Sequence, residues 1–142
     1  MASVFTMIIN GELPGHFVWR DERAVAFMSI NPICAGHTLV VPVQETDHWT
    51  DLPEDLNRYL MTVCQKIGRI QETVFAPQRV GLIIAGFDVP HVHIHVLPIN
   101  GMADMDFANA PAQADHSELA ATAHRIRTAL AEAGHTEAHD IA

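Results

Sequence analysis

The stretch His91-Val92-His93-Ile94-His95-Val96-Leu97 decides how this chain is read. Successive side chains of a strand point to opposite faces. The alternation therefore predicts a strand with His91, His93 and His95 on one face and Val92, Ile94 and Val96 on the other. Valine and isoleucine favour that pleated state. The aliphatic face suits a core. Three neighbouring imidazoles repel when charged and each needs a partner when buried, so the other face is expected to carry chemistry. Alternate Cα atoms on a strand lie about 6.6–7 Å apart, which puts His91 about 13 Å from His95. Zinc holds its nitrogens at about 2.0–2.1 Å. At most two of the three would share one ion, and a metal-dependent hydrolase using His91 with His93, or His93 with His95, stands as an alternative.

Outward from this strip the chain reads as α+β. Upstream, Val80 to Ala85 forms a partner strand across the turn Gly86 to Pro90. Residues 53–75 form the main helix, with Leu56, Leu60, Val63, Ile67, Ile70 and Val74 on one apolar stripe. Tyr59, Met61 and Cys64 widen that stripe. Residues 3–9 suggest a short helix closed by Asn10-Gly11. His16 to Trp19, Ala24 to Met28 and His37 to Val41 read as strands. Short connections make the sheet mostly antiparallel. Residues 100–114 read as a loop. Asp115-x-x-Glu118 then starts a C-terminal helix, with Leu119, Ala123, Ile126, Leu130 and Ala133 inward, stopped by Gly134. Residues 135–142 are expected to be frayed.

The 142 residues suit a single domain, and an apolar share of 49% supplies its core. A formal net charge of −9 argues against binding nucleic-acid polymers or anionic membranes. A small anionic nucleotide is not excluded, because local donors outweigh the global field at short range. Cys34 and Cys64 belong to no motif and read as small buried hydrophobes of a reducing compartment. No segment reads as a secretory leader or membrane span, so a cytoplasmic location is expected.

The triad strip resembles the signature of the histidine triad (HIT) family, in which three histidines alternate with apolar residues. Three further blocks follow the family's order. Phe5 to Ile8 with Gly11-Glu12-Leu13-Pro14 looks like its opening helix and turn. Ala26-Phe27-Met28-Ser29-Ile30-Asn31-Pro32 looks like its nucleoside-pocket strand, and Gly36-His37-Thr38-Leu39-Val40-Val41-Pro42 like a neighbouring block. The resemblance implies a fold of about five strands with one long central helix and a C-terminal helix, over a core of residues 3–100. It implies a nucleotide hydrolase. His93 would attack an α-phosphorus and form a nucleotidyl-histidine intermediate that water cleaves. His95 would bond phosphate oxygens or protonate the leaving group, and His91 and His37 would complete the network. A histidine rather than a glutamine at position 95 points to the hydrolase branch. Phe5, Ile8, Phe27 and Ile30 fall where the family's purine pocket lies, with Ser29 and Asp88 as further substrate contacts. The implied substrates are purine nucleoside phosphoramidates, adenylylated amines or dinucleoside polyphosphates. The implied assembly is a homodimer involving the main helix and a strand.

Departures from the family pattern matter. Ser3, Thr6 and Glu45 stand where many bacterial members place the cysteines and histidine of a structural zinc site, so neither that zinc nor any other cofactor is expected. Ser29 replaces a ribose-binding acid, and an uncharged hydrogen bond is about half as strong. Asp88 stands at a usual hydroxyl position, where a carboxylate would repel phosphate. These changes motivate a second alternative, a nucleotide-binding or interaction protein with a weak or silent site. The favoured chemistry requires that the His93 ring be neutral and face an open cleft.

Overall fold

The structure is a computed structural model that describes residues 2–111 and 114–138. Its elements in chain order are α1 (Val4–Ile9), β1 (Phe17–Arg20), β2 (Ala24–Met28), β3 (Thr38–Pro42), α2 (Glu54–Phe75), β4 (Arg79–Ile83), β5 (Ile94–Ile99) and α3 (His116–Glu132). The strands form one antiparallel sheet in the order β1-β2-β3-β5-β4. This is the expected α+β architecture of five strands, a long helix and a C-terminal helix.

Both faces of the sheet are covered, and alternation along each strand sorts residues between them. Ala24, Ala26 and Met28 of β2, Val40 of β3, and Ile94 and Val96 of β5 pack under α2 and α3. Leu56, Leu60, Val63, Cys64, Ile67 and Ile70 supply the α2 side of that core. Val25, Phe27, Leu39 and Val41 point the other way, into a smaller cluster with Phe5 of α1 and Phe17. The histidines lie on this second side. Strands buried on both faces read as apolar runs rather than as alternation, which is how β2 and β3 look in sequence.

Specific bonds fix the framework. Asp21 closes the β1–β2 hairpin by accepting from the Arg23 and Ala24 amides at 2.7 and 2.8 Å, and it also binds the Trp19 indole and the Tyr59 hydroxyl. Gln71, fully buried on α2, donates to the Gly36 and Val96 carbonyls, both at 3.0 Å. One amide thus ties the main helix to the turn before β3 and to the backbone of β5. At Gly68, α2 passes close to Val80 of β4. An added Cβ there would meet Val80 Cγ1 at 3.3 Å. Asp115 caps α3 by accepting from the Ser117 and Glu118 amides.

Several sequence expectations need correction. The triad strand starts at Ile94, not His91. The Val92 amide bonds the Thr46 carbonyl and the His91 amide the Val89 carbonyl, so the chain bends at His91 and residues 91–93 lie outside the ladder. Neighbouring strands shift by a residue or two, to Phe17–Arg20, Thr38–Pro42 and Arg79–Ile83. Met61 is exposed rather than part of the buried stripe, and Cys34 is half-buried. Ala133 caps α3 and is exposed. Residues 136–138 form a 3₁₀ turn with Ala138 buried, so this part of the tail is packed. The rest of the expected frayed tail, 139–142, lies outside the described residues.

Candidate active site

The four histidines are all nearly inaccessible. His91, His93, His37 and His95 expose 0%, 1%, 1% and 5% of their surface. A buried imidazole must satisfy both ring nitrogens, and its partners therefore reveal its tautomer.

The relay on the β3 side starts at the backbone. The Ile33 amide donates to His37 Nδ1 at 3.1 Å. His37 Nε2 must then carry the proton, and it donates to His95 Nδ1 at 2.8 Å. His95 is left with its proton on Nε2. This chain makes His95 Nε2 a fixed donor. The register places His95 opposite Leu39 of β3, next door to His37.

His93 is held in the opposite state. Its Nδ1 donates to the His91 carbonyl at 2.7 Å, which leaves Nε2 as the nitrogen able to attack once it carries no proton. The His93 and His95 rings meet edge to face with centroids 5.0 Å apart. Phe5 packs its edge against His93 at 4.9 Å, and Phe107 packs against His95 at the same distance. A potential nucleophile and a proton donor thus stand side by side, each fixed by a backbone group.

His91 anchors the strip. Its Nε2 donates to the Pro42 carbonyl at 2.8 Å, so Nδ1 accepts, and the Ser3 hydroxyl donates to it at 2.6 Å. Ser3 Oγ in turn caps α1 by accepting from the Thr6 amide at 3.0 Å. Glu45 Oε1 accepts from the Thr6 hydroxyl at 2.6 Å and from the Ser3 amide at 2.7 Å. Those bonds, the Thr6 one foremost, draw the Glu45 carboxyl down to about 2. The cluster sits where a structural zinc was considered. Two alcohols, a carboxylate and an imidazole that already satisfy one another do not match the nitrogen and sulfur tetrahedron of such a site. Among the described residues, no group of three or more His, Cys, Asp or Glu is placed to hold a metal ion.

Burial, then the neighbouring imidazoles, lowers His37 to about 3 and His95 to about 4. Burial also lowers His91. These rings stay neutral in the folded protein, as the relay requires. The consequence for stability has a definite sign. Below the ordinary value of 6.5 the unfolded chain takes up protons that folded His37 and His95 refuse. Stability is thus expected to fall as pH drops from 6.5 to about 4 for His95 and to about 3 for His37, on the order of 2 kcal/mol per histidine by pH 5. Urea unfolding at pH 7 and pH 5 measures this, and replacing His37 with asparagine should flatten the slope.

A cavity of about 470 Å³ opens beside the triad. Phe5, Ile8, Phe27, Ser29, Ile30, His37, His95 and Asp88 line it, so eight of the ten residues singled out from sequence meet there. His91 and His93 do not line it. The open cleft expected in front of His93 is narrower than that: the ring is 1% exposed and lines a separate cavity of about 260 Å³ with Trp49, Gly86 and Phe87. Asp88 Oδ1 lies 3.2 Å from His93 Nε2 and covers it. Ser29 is buried, and its hydroxyl accepts from the Asn31 amide at 3.2 Å. Phe107, Ala110 and Pro111 form a wall that the sequence analysis assigned to plain loop. Asn31 holds this wall by donating to the Pro111 carbonyl at 3.2 Å. Phe107 is the lone aromatic of residues 100–114, and that was the available signal.

A five-stranded antiparallel sheet bearing four linked histidines beside a mainly apolar cavity defines the class of histidine triad proteins. The HIT domain model matches residues 10–102, and the chain belongs to the HIT family. An uncharacterized HIT-like protein of Methanocaldococcus jannaschii is 35% identical over 105 residues, covering 67% of this chain and 77% of that protein. The asymmetrical bis(5'-nucleosyl)-tetraphosphatase of Schizosaccharomyces pombe is 33% identical over 85 residues, 56% of this chain and 47% of that one. Among solved structures, a zinc-bound histidine triad protein from Mycobacterium smegmatis superposes with a TM-score of 0.78 at 27% identity, covering 94% of this chain and 96% of that one.

Proposed function

We propose that the protein hydrolyses nucleotides at an α-phosphorus through a covalent nucleotidyl-His93 intermediate. The observation that carries this is the pair of opposite tautomers. His93 spends its Nδ1 proton on the backbone, which makes Nε2 the nitrogen for attack, and His95 has its proton on Nε2. In the first displacement His93 Nε2 bonds to phosphorus and the leaving group departs. In the second, water bonds to phosphorus and Nε2 is released. His95 Nε2–H donates to a non-bridging oxygen as its charge grows, the kind of preorganised donor that lowers such barriers. Two modest displacements replace one difficult one. Phe5, Ile8, Phe27 and Ile30 supply the apolar lining that a purine ring seeks, with Ser29 beside them. The likeness to a dinucleoside tetraphosphatase supports polyphosphates as one substrate class. Phosphoramidates and adenylylated amines are the other.

A homodimer is part of the proposal. Met61 on α2 and Leu82 on the edge strand β4 are exposed and flank a groove of about 520 Å³. Ile84, just beyond the strand, extends the apolar surface. We place the protein in the cytoplasm, acting on a small nucleotide rather than on nucleic-acid polymer. Among the described residues no helix is long and apolar enough to cross a membrane.

The test is to trap the intermediate. The protein is mixed with diadenosine tetraphosphate or adenosine phosphoramidate labelled at the α-phosphorus, then denatured at alkaline pH, where P–N bonds survive. Label on the peptide carrying residues 91–97 is expected. Net inversion at a stereogenic α-phosphorothioate, the outcome of one displacement rather than two, would mean that water attacks directly, and would end the covalent scheme. One observation favours a second reading. Asp88 covers the very nitrogen that must attack. Calorimetry showing AMP binding, with no turnover of either compound, would select a binding protein instead.

A further inference from the structure

Asp88 is the one group in the site whose position conflicts with simple nucleophilic attack. His93 Nδ1 already spends its proton on the His91 carbonyl. A hydrogen bond between Nε2 and the Asp88 carboxylate at 3.2 Å therefore needs a second proton, shared between these two atoms. Attack on phosphorus needs that proton gone from Nε2. The carboxylate beside it is placed to take it. His95 faces the same place, but its proton is committed as a donor by the His37 relay.

The setting of Asp88 suits a carrier rather than a fixed partner. Its side chain is 69% exposed, while the His93 side chain is fully buried. It sits on a turn that begins at Gly86, whose backbone has φ +86° and whose Cβ position meets nothing within 4 Å. Phe87 beside it is 99% exposed. Asp88 also lines the cavity, so its carboxyl can turn from Nε2 towards a bound ligand without disturbing the core.

We propose that Asp88 is a catalytic acid and base that carries the Nε2 proton to the leaving group, and that it directs the site to substrates whose leaving group is an amine. This rests on the nucleotidyl-His93 reading. As substrate enters, the shared proton passes to Asp88, which becomes a neutral carboxylic acid and no longer repels the phosphate. The Nε2 lone pair forms the bond to phosphorus. The P–N bond of the substrate breaks, its electron pair stays on nitrogen, and nitrogen takes the proton from Asp88. A neutral amine leaves. In the second displacement, Asp88 carboxylate takes a proton from water as its oxygen bonds to phosphorus. The bond from phosphorus to Nε2 breaks, and the proton returns to the shared position. An amide nitrogen leaves very poorly without a proton, so phosphoramidates depend on this carrier. A leaving group stable as an anion does not.

Two substrates with the same adenylyl group separate the cases. One is an N-alkyl phosphoramidate of AMP, and the other is the p-nitrophenyl ester of AMP. Their kcat/KM values report the first displacement, because the later hydrolysis is common to both. In Asp88→Asn the phosphoramidate value is expected to fall by about 10²–10⁴, and its ratio to the ester value by about 10² or more. Asp88→Glu, which keeps a carboxyl on a longer arm, should restore part of that ratio. A melting curve for each variant, with release of one p-nitrophenol per site from the ester, shows that it is folded. Equal losses on both substrates would make Asp88 a positioning residue, and equal gains would make it a plug on His93. Either result overturns the carrier. A wild-type protein that turns over neither compound overturns the parent reading along with it.

Discussion

Replacing His93 with alanine is expected to abolish nucleotide turnover, by about 10⁴-fold or more, the loss seen when a covalent nucleophile is removed. The size follows from its place in the scheme. Every step before hydrolysis runs through Nε2, and the neighbouring nitrogens are all committed. His95 Nδ1 accepts from His37, and His91 Nδ1 accepts from Ser3. No other imidazole can take over the attack without breaking one of those bonds. The variant also removes the donor to the His91 carbonyl and a contact with Phe5. Melting curves should accompany the kinetics, with His93→Asn as a partner variant that keeps a polar group at the position. Turnover in either folded variant within tenfold of wild type would refute the assignment of the nucleophile.

Removing His95 should slow the reaction on every substrate, whatever its leaving group. A single donor aimed at the developing phosphoryl charge contributes about 10²–10³ in kcat. His95→Ala also leaves the His37 Nε2–H without its acceptor, and a buried unmade hydrogen bond costs about 1–3 kcal/mol. The variant should therefore be both slow and less stable. The distinguishing measurement is a comparison of kcat with KM. A donor that acts on transition-state charge lowers kcat far more than it weakens binding. A loss confined to KM would reduce His95 to a binding group.

The order of elements and their faces were legible because apolar spacing is a physical requirement of burial. Leu56, Leu60, Val63, Ile67 and Ile70 declare the inward stripe of α2, and all are buried. The alternation around Ile94 and Val96 likewise placed those two in the core. Strand limits were less legible, because an extended backbone need not be paired. Residues 91–93 look like strand, but their amides bond loop carbonyls at Val89 and Thr46. Gln71 was invisible for another reason. A glutamine on a helix usually faces water, and its two carbonyl partners come from Gly36 and Val96, far away in sequence. Asp88 could be flagged as an unusual charge near the triad. Its contact with Nε2 depends on how the turn at Gly86 folds back, which no local pattern encodes.

Ser3 and Phe5 give the leading end of the chain an unexpected weight. One donates to His91 Nδ1, and the other buttresses His93. Side chains far from the triad strip in sequence thus act as rivets that keep the reactive rings in register, and trimming Phe5 to alanine should loosen His93 without touching a polar group.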